Sequence, residues 1–166
     1  MGARKPEIDV TVPPLSDWGR ITIVVDTREQ RPWSFPEEVV QLRRGTLNAG
    51  DYALEGDGFA IERKSLADFV GTVGSGWERF LRELHRMPPV PARVIIVEAN
   101  IEDLTDRSYP QGVNPKFLLS RVAELTLAGI SVLFAGDPVR AAGLAYRIFR
   151  QRAGHIGGAK LQEGIT

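Results

Sequence analysis

The stretch Ile21-Thr22-Ile23-Val24-Val25-Asp26-Thr27-Arg28-Glu29 opens on five β-branched residues and then turns abruptly polar. β-Branched side chains favour extended backbone. Ile23, Val24 and Val25 are apolar in succession, so both faces of the strand need cover, the mark of a central strand with layers packed above and below it. Two further short apolar runs, Val94 to Val97 and Ile130 to Phe134, read the same way. Between them the period changes to that of a helix. Trp77, Phe80, Leu81 and Leu84 fall at i, i+3, i+4 and i+7, one apolar stripe. Lys116 to Leu127 and Val139 to Arg150 also read as helices. Strands alternating with helices place the chain in the α/β class, with a central mixed β-sheet flanked by helices.

The remaining elements are shorter. Asp51 to Leu54 and Phe59 to Lys64 flank the turn Gly56-Asp57-Gly58 and read as a hairpin. Ser65-x-x-Asp68 ahead of Leu66, Phe69 and Val70 predicts a helix start at Ser65. Gly71 to Gly76 carries three glycines and reads as a mobile break, and the prolines of Met87 to Pro91 close the next helix. Glu37 to Leu42 is compatible with a short helix or the start of a strand. Residues 1–19 read as a loosely held lead-in, 20–152 as one domain and 153–166 as a C-terminal tail.

The 166 residues suit one domain, with 43% hydrophobic and 25% charged residues. The absence of cysteine excludes disulfide scaffolds, zinc fingers and thiolate catalysis. His85 and His155 are far apart and fit no zinc-enzyme spacing. No apolar run approaches the roughly 18 residues of a membrane span, and Met1 to Asp9 is too polar for a signal peptide. An intracellular protein, in cytoplasm or nucleoid, is expected, neither secreted nor membrane-bound. Basic and acidic residues balance at 21 each, so overall charge neither demands nor forbids a polyanion partner. Arg79, Arg82 and Arg86 and the basic segment after Arg140 are local patches, read first as solvated helix faces.

Acidic residues mark the first half. Asp26 ends a buried strand, Asp51 follows a Gly-Asp break, and Glu62 lies inside an apolar strand two residues before Lys64. Alternation puts Glu62 and Lys64 on one face and Ile61 and Arg63 on the other. Ionised groups seldom enter a strand unless paired or bound to metal. Glu62 with Lys64 therefore reads equally as a structural ion pair or as part of a site. An aspartate followed about ten residues later by Glu-x-Lys on a strand is an arrangement suited to metal-dependent nucleases. Asp51 and Glu62 would offer oxygen ligands to a hard cation, and Lys64 would orient water or neutralise an oxyanion.

Asp26-Thr27-Arg28-Glu29, Gly50-Asp51-Tyr52 and Glu62-Arg63-Lys64-Ser65-Leu66-Ala67-Asp68 together resemble the XPF-type excision-repair nuclease domain. That family carries a Gly-Asp step followed by Glu-Arg-Lys-x-x-x-Asp. The resemblance covers about residues 20–152. It implies a restriction-endonuclease-like core and Mg²⁺- or Mn²⁺-dependent endonucleolytic cleavage of DNA, on branched or flapped substrates. It further implies a metal site of Asp26, Asp51 and Glu62, a catalytic lysine in Lys64, a further required acid in Asp68, and supporting roles for Arg28, Glu29 and Arg63. Dimerisation through the nuclease domain is implied as well, and the apolar Leu144, Ala145, Ile148 and Phe149 place it on the last helices. With fourteen residues after Arg152, the helix-hairpin-helix units of repair-type members are not expected here. A non-catalytic DNA-binding or scaffold subunit of a nuclease heterodimer is the alternative. From the residues alone, Asp68 reads as a helix-capping acid, Arg63 as an ion-pairing scaffold, and Tyr52, Trp77 and Phe80 as core.

Overall fold

The computed structural model describes residues 19–86, 93–106, 109 and 113–163. The expected lead-in, apart from Gly19, and the proline segment Met87 to Pro91 lie outside the described residues. Six strands, β1 (Ile21–Asp26), β2 (Val40–Gly45), β3 (Tyr52–Leu54), β4 (Ala60–Lys64), β5 (Arg93–Val97) and β6 (Ile130–Phe134), form one mixed sheet in the order β2-β1-β3-β4-β5-β6. The β1/β2, β4/β5 and β5/β6 pairs are parallel, and β3 joins the two parallel blocks through antiparallel pairing with β1 and β4. The ambiguous Glu37 to Leu42 resolves as the approach to β2, an edge strand with Gln41 to Arg44 exposed.

Among the described residues five helices cover the sheet: α1 (Leu66–Val73), α2 (Trp77–Arg86), α3 (Ile101–Thr105), α4 (Pro115–Leu127) and α5 (Pro138–Glu163). Strand alternation sorts the apolar side chains into two cores. Ile21, Ile23 and Val25 of β1 and Val94 and Ile96 of β5 pack with Ala141, Ala145 and Phe149 of α5. On the opposite face Ile95 and Val97 pack with Phe69, Val73 and Trp77 of α1 and α2 and with Leu118 and Leu125 of α4. β1 and β5 are thus covered strands, as their uninterrupted apolar runs require.

Three boundaries differ from expectation. Gly71 lies within α1, and Gly74 to Gly76 make a tight turn into α2 rather than a long break. A Cβ at Gly76 would stand 2.8 Å from the Gly71 carbonyl oxygen, so this close approach needs glycine. The short helix α3, with Asn100 and Asp103 forming a capping box, is too brief to leave a periodic pattern. α5 continues past Arg150 to Glu163, so most of 153–166 extends the helix instead of forming a tail. Gly154, Gly157 and Gly158 lower its intrinsic propensity and hide it from a sequence reading.

Two of the four residues expected on a dimer face are taken up within the chain. Ala145 and Phe149 are fully buried within the chain, and Leu144 and Ile148 pack partly against the same core. Phe149 meets Phe59 edge-on at 5.8 Å. Phe149→Ala should therefore lower the unfolding free energy by about 3–5 kcal/mol in urea denaturation, whatever the protein concentration; a loss of self-association with unchanged stability would return Phe149 to an intermolecular role.

Candidate active site

The site is assembled where β3 meets β4. Gly50 has φ +74°, and the Asp51 N–H donates to the Ile61 carbonyl at 2.9 Å. A Cβ on Gly50 would stand 2.9 Å from that same oxygen, so the Gly-Asp step is a backbone requirement before it is a chemical one. The Asp51 carbonyl accepts from the Asp26 N–H at 2.9 Å, which brings the end of β1 alongside. The Asp51 Oδ2 accepts from the main-chain N–H of Arg63 at 2.8 Å. On β4 the alternation holds: Glu62 and Lys64 share a face, with Lys64 Nζ 2.8 Å from Glu62 Oε1. Ser65 then leaves the strand and caps α1. Its Oγ accepts from the Asp68 N–H at 3.1 Å and donates to the Asp68 carboxylate at 2.6 Å.

Asp51, Glu62, Lys64 and Asp68 thereby line one open cleft of about 460 Å³, with Glu98 and the Glu29 to Arg31 segment at its edge. Asp26 is not brought into this lining. It is buried, and its carboxylate accepts from the Arg28 N–H, Arg28 Nε, Arg28 Nη2 and the Leu47 N–H. The Arg28 guanidinium beside it holds its carboxyl well below the usual carboxylate range. With all its lone pairs engaged, Asp26 anchors Arg28 and the segment after β2. Among the described residues no three histidine or carboxylate side chains gather as a metal-holding group. Within the cleft Glu62 is paired with Lys64, and Asp51 feels the charge of both.

The surroundings of Asp51 disfavour its charged form. Burial, followed by the charge of Glu62, pushes its carboxyl from the ordinary 3.8 up to about 6. The opposite face of β4 carries the brace. Arg63 donates through Nε and Nη2 to Glu98 at 2.8 and 3.3 Å and through Nη1 to Glu29 at 3.4 Å, and its guanidinium lies 5.5 Å from the Trp33 ring centre. Trp33 Nε1 also donates to Glu98 at 2.7 Å. Trp33 stacks on Tyr52 with ring centres 4.4 Å apart, and the Tyr52 hydroxyl accepts from the Trp33 N–H at 2.8 Å. Tyr52 is thus a core residue, and Arg63 the ion-pairing scaffold that its strand face suggests. Glu98 is the member missed in the sequence. Its signal is close to that of Asp26, the last residue of β1: Glu98 is an acid directly after the covered apolar strand β5.

The ERCC4 domain model matches residues 25–148, from the end of β1 through the cleft and strands β2 to β6 into α5. The chain belongs to the ERCC4 domain family. XPF from Aeropyrum pernix is similar in structure, with a TM-score of 0.64 and 26% identity over 85% of this chain and 69% of that one. XPF from the same organism in complex with DNA gives a TM-score of 0.60 and 26% identity, over 82% of this chain and 66% of that one. The chain therefore spans about two thirds of the length of each. No curated protein sequence matches it. The sheet and its flanking helices are those of an XPF-type, restriction-endonuclease-like nuclease fold, as the motif resemblance implies.

Within this ERCC4 domain the raised Asp51 value has a consequence for stability. Between pH 3.8 and about 6 the folded chain binds the Asp51 proton more tightly than the unfolded chain, so stability falls as pH rises through that window. A shift of about two units corresponds to ~3 kcal/mol, which partial solvent access reduces to about 1–2 kcal/mol. Asp51→Asn keeps an oxygen for the Arg63 N–H and removes the charge. Without divalent cations it should be about 1–2 kcal/mol more stable than the parent at pH 7.5, with the advantage gone near pH 4; urea denaturation at both pH values measures this.

Proposed function

We propose that this ERCC4 domain is a divalent-metal-dependent DNA endonuclease that hydrolyses phosphodiester bonds in branched, flapped or otherwise structured DNA. The carrying observation is that Asp51 and Glu62 line one open cleft, with the Lys64 ammonium paired to Glu62. A carboxylate such as Asp51, whose charged form is opposed by burial and by the neighbouring Glu62 charge, suits a hard cation. Magnesium commonly takes one or two carboxylates and fills its other positions with water and phosphate oxygens. Asp51 and Glu62 would hold Mg²⁺ or Mn²⁺, which supplies Lewis acidity and lowers the pKa of a bound water.

The chain's own groups account for the rest. Lys64 is held by Glu62 at the cleft wall, where its charge offsets the negative charge that grows on the phosphate oxygens. Asp68 sits at the rim, held by Ser65 at the start of α1. The Arg63 main-chain N–H aims the Asp51 carboxylate, and the Arg63 side chain braces that strand from the other face. Asp26 acts at one remove: it orients the largely exposed Arg28, whose guanidinium interacts with the Asp51 and Glu62 charges and is placed to meet a phosphate. A similar fold solved with DNA bound supports the choice of substrate. Among the described residues no helix is long and apolar enough to cross a membrane, and an intracellular setting suits a DNA substrate. Pairing of two copies through α5 would have to use its outward residues, because Ala145 and Phe149 are taken up within the chain.

Plasmid-nicking and flap-cleavage assays test the reading. Cleavage should require Mg²⁺ or Mn²⁺ and stop in EDTA. Asp51→Ala and Glu62→Ala should each reduce it to background while leaving DNA binding little changed, and Lys64→Ala should cost at least about a hundredfold in kcat. Cleavage retained by either carboxylate variant overturns the assignment.

A further inference from the structure

Behind the Glu62 and Lys64 pair lies a second, smaller cavity of about 140 Å³, between the sheet and helix α2. Glu62 and Lys64 line both spaces, so the cavity continues the cleft inward rather than standing apart from it. Its walls are apolar or small: Ala60, Val94 and Ile95 from the sheet, Thr72 from α1, and Phe80 and Leu84 from α2. Its rim is charged. Arg79 and Arg93 stand there with Glu83, and Arg79 and Glu83 are 3.8 Å apart on an exposed helix face. Phe80, which reads as core in the sequence, is only half-buried and lines this space, whereas its neighbour Trp77 is buried.

The dimensions and chemistry select the occupant. Pockets for drug-sized ligands run to about 300–1,000 Å³, so a whole nucleotide cofactor does not fit. One flat ring system does. An aromatic wall favours stacking, and the Lys64, Arg79 and Arg93 side chains at the entrance match the phosphates on either side of an inserted base. Structured DNA supplies bases with no partner, and removing such a base from its stack takes less energy than breaking a pair. We propose that this cavity receives the unpaired nucleobase adjoining the scissile phosphate, with Phe80 as its stacking surface, so that the domain selects cleavage points where a base is free to leave the helix. The inference rests on the nuclease reading and adds a base subsite to it.

The test joins the substrate to the cavity. Flap DNA carries 2-aminopurine in turn at each unpaired nucleotide nearest the junction, and is bound to Asp51→Asn protein. One position should show a severalfold fluorescence change, absent when Asp51→Asn is combined with Thr72→Phe, which fills the cavity from α1. In cleavage, an abasic residue at that nucleotide should lower kcat/KM roughly tenfold for the parent protein. Thr72→Phe should lose the same factor on intact DNA and match the parent on abasic DNA. Phe80→Leu keeps apolar bulk without a stacking ring and should behave likewise, which covers a Thr72→Phe variant that fails to fold. Metal-dependent cleavage that is equal on intact and abasic substrates at every position overturns the base subsite alone. Failure to bind or cut any DNA overturns the nuclease reading and the subsite together.

Discussion

The hydrogen bond from the Arg63 main-chain N–H to Asp51 Oδ2 links the two strands that carry the cleft acids. It depends on Gly50, whose positive φ lets the Asp51 backbone close against Ile61. Because a strand alternates its side chains, Arg63 does two things at once. Its backbone aims Asp51 next to Glu62, while its side chain reaches the other face and locks onto Glu98 and Glu29. The acid pair is therefore held from behind by an ion-pair network that is itself largely shielded from water. Burial and the Glu62 charge together make an ionised Asp51 locally unfavourable. Local destabilisation of this kind is expected where a site is built for a ligand rather than for stability.

The same alternation divides the labour between the two faces of the sheet. On one face α5 seals β1, β3 and β5 with Ala141, Ala145 and Phe149, leaving a closed apolar layer. On the other, α1 and α2 cover β5 but stop short of the acids, and the cleft opens there. The turn at Gly74 to Gly76 matters to this arrangement, because it folds α2 back so that Phe80 and Leu84 roof the smaller cavity behind Glu62. Reactive groups and apolar cavity thus share a wall made of one ion pair, Glu62 with Lys64. The two readings that the sequence leaves open for this pair are compatible: it is an ion pair, and it stands in the cleft.

Much of the fold is legible in the sequence itself. The β-branched run Ile21 to Val25 identified a covered strand, the 3.6-residue period identified α2 and α4, and Ser65-x-x-Asp68 identified the start of α1. All are local signals, carried by residues close in sequence. Asp51, Glu62, Lys64 and Asp68 were legible as candidates because charges at strand ends or within apolar strands require an explanation. The extension of α5 through its glycines and the pairing of β2 with β1 were not, since tertiary packing and strand pairing override weak propensity.

What the sequence by itself determined, then, is the set of elements, the face of β4 that bears Glu62 and Lys64, and the chemical types available for a site. Only the tertiary structure decided which charges meet. Asp26 and Glu98 both stand at the ends of covered strands, yet one is taken up by Arg28 and Leu47 and the other by Arg63 and Trp33. Likewise Phe149, apolar in the sequence, is buried in the chain's own core. The physical reason is that burial and pairing are non-local: an ionised or apolar side chain takes its role from whatever the sheet order brings against it, and strand order joins residues that local periodicity cannot connect.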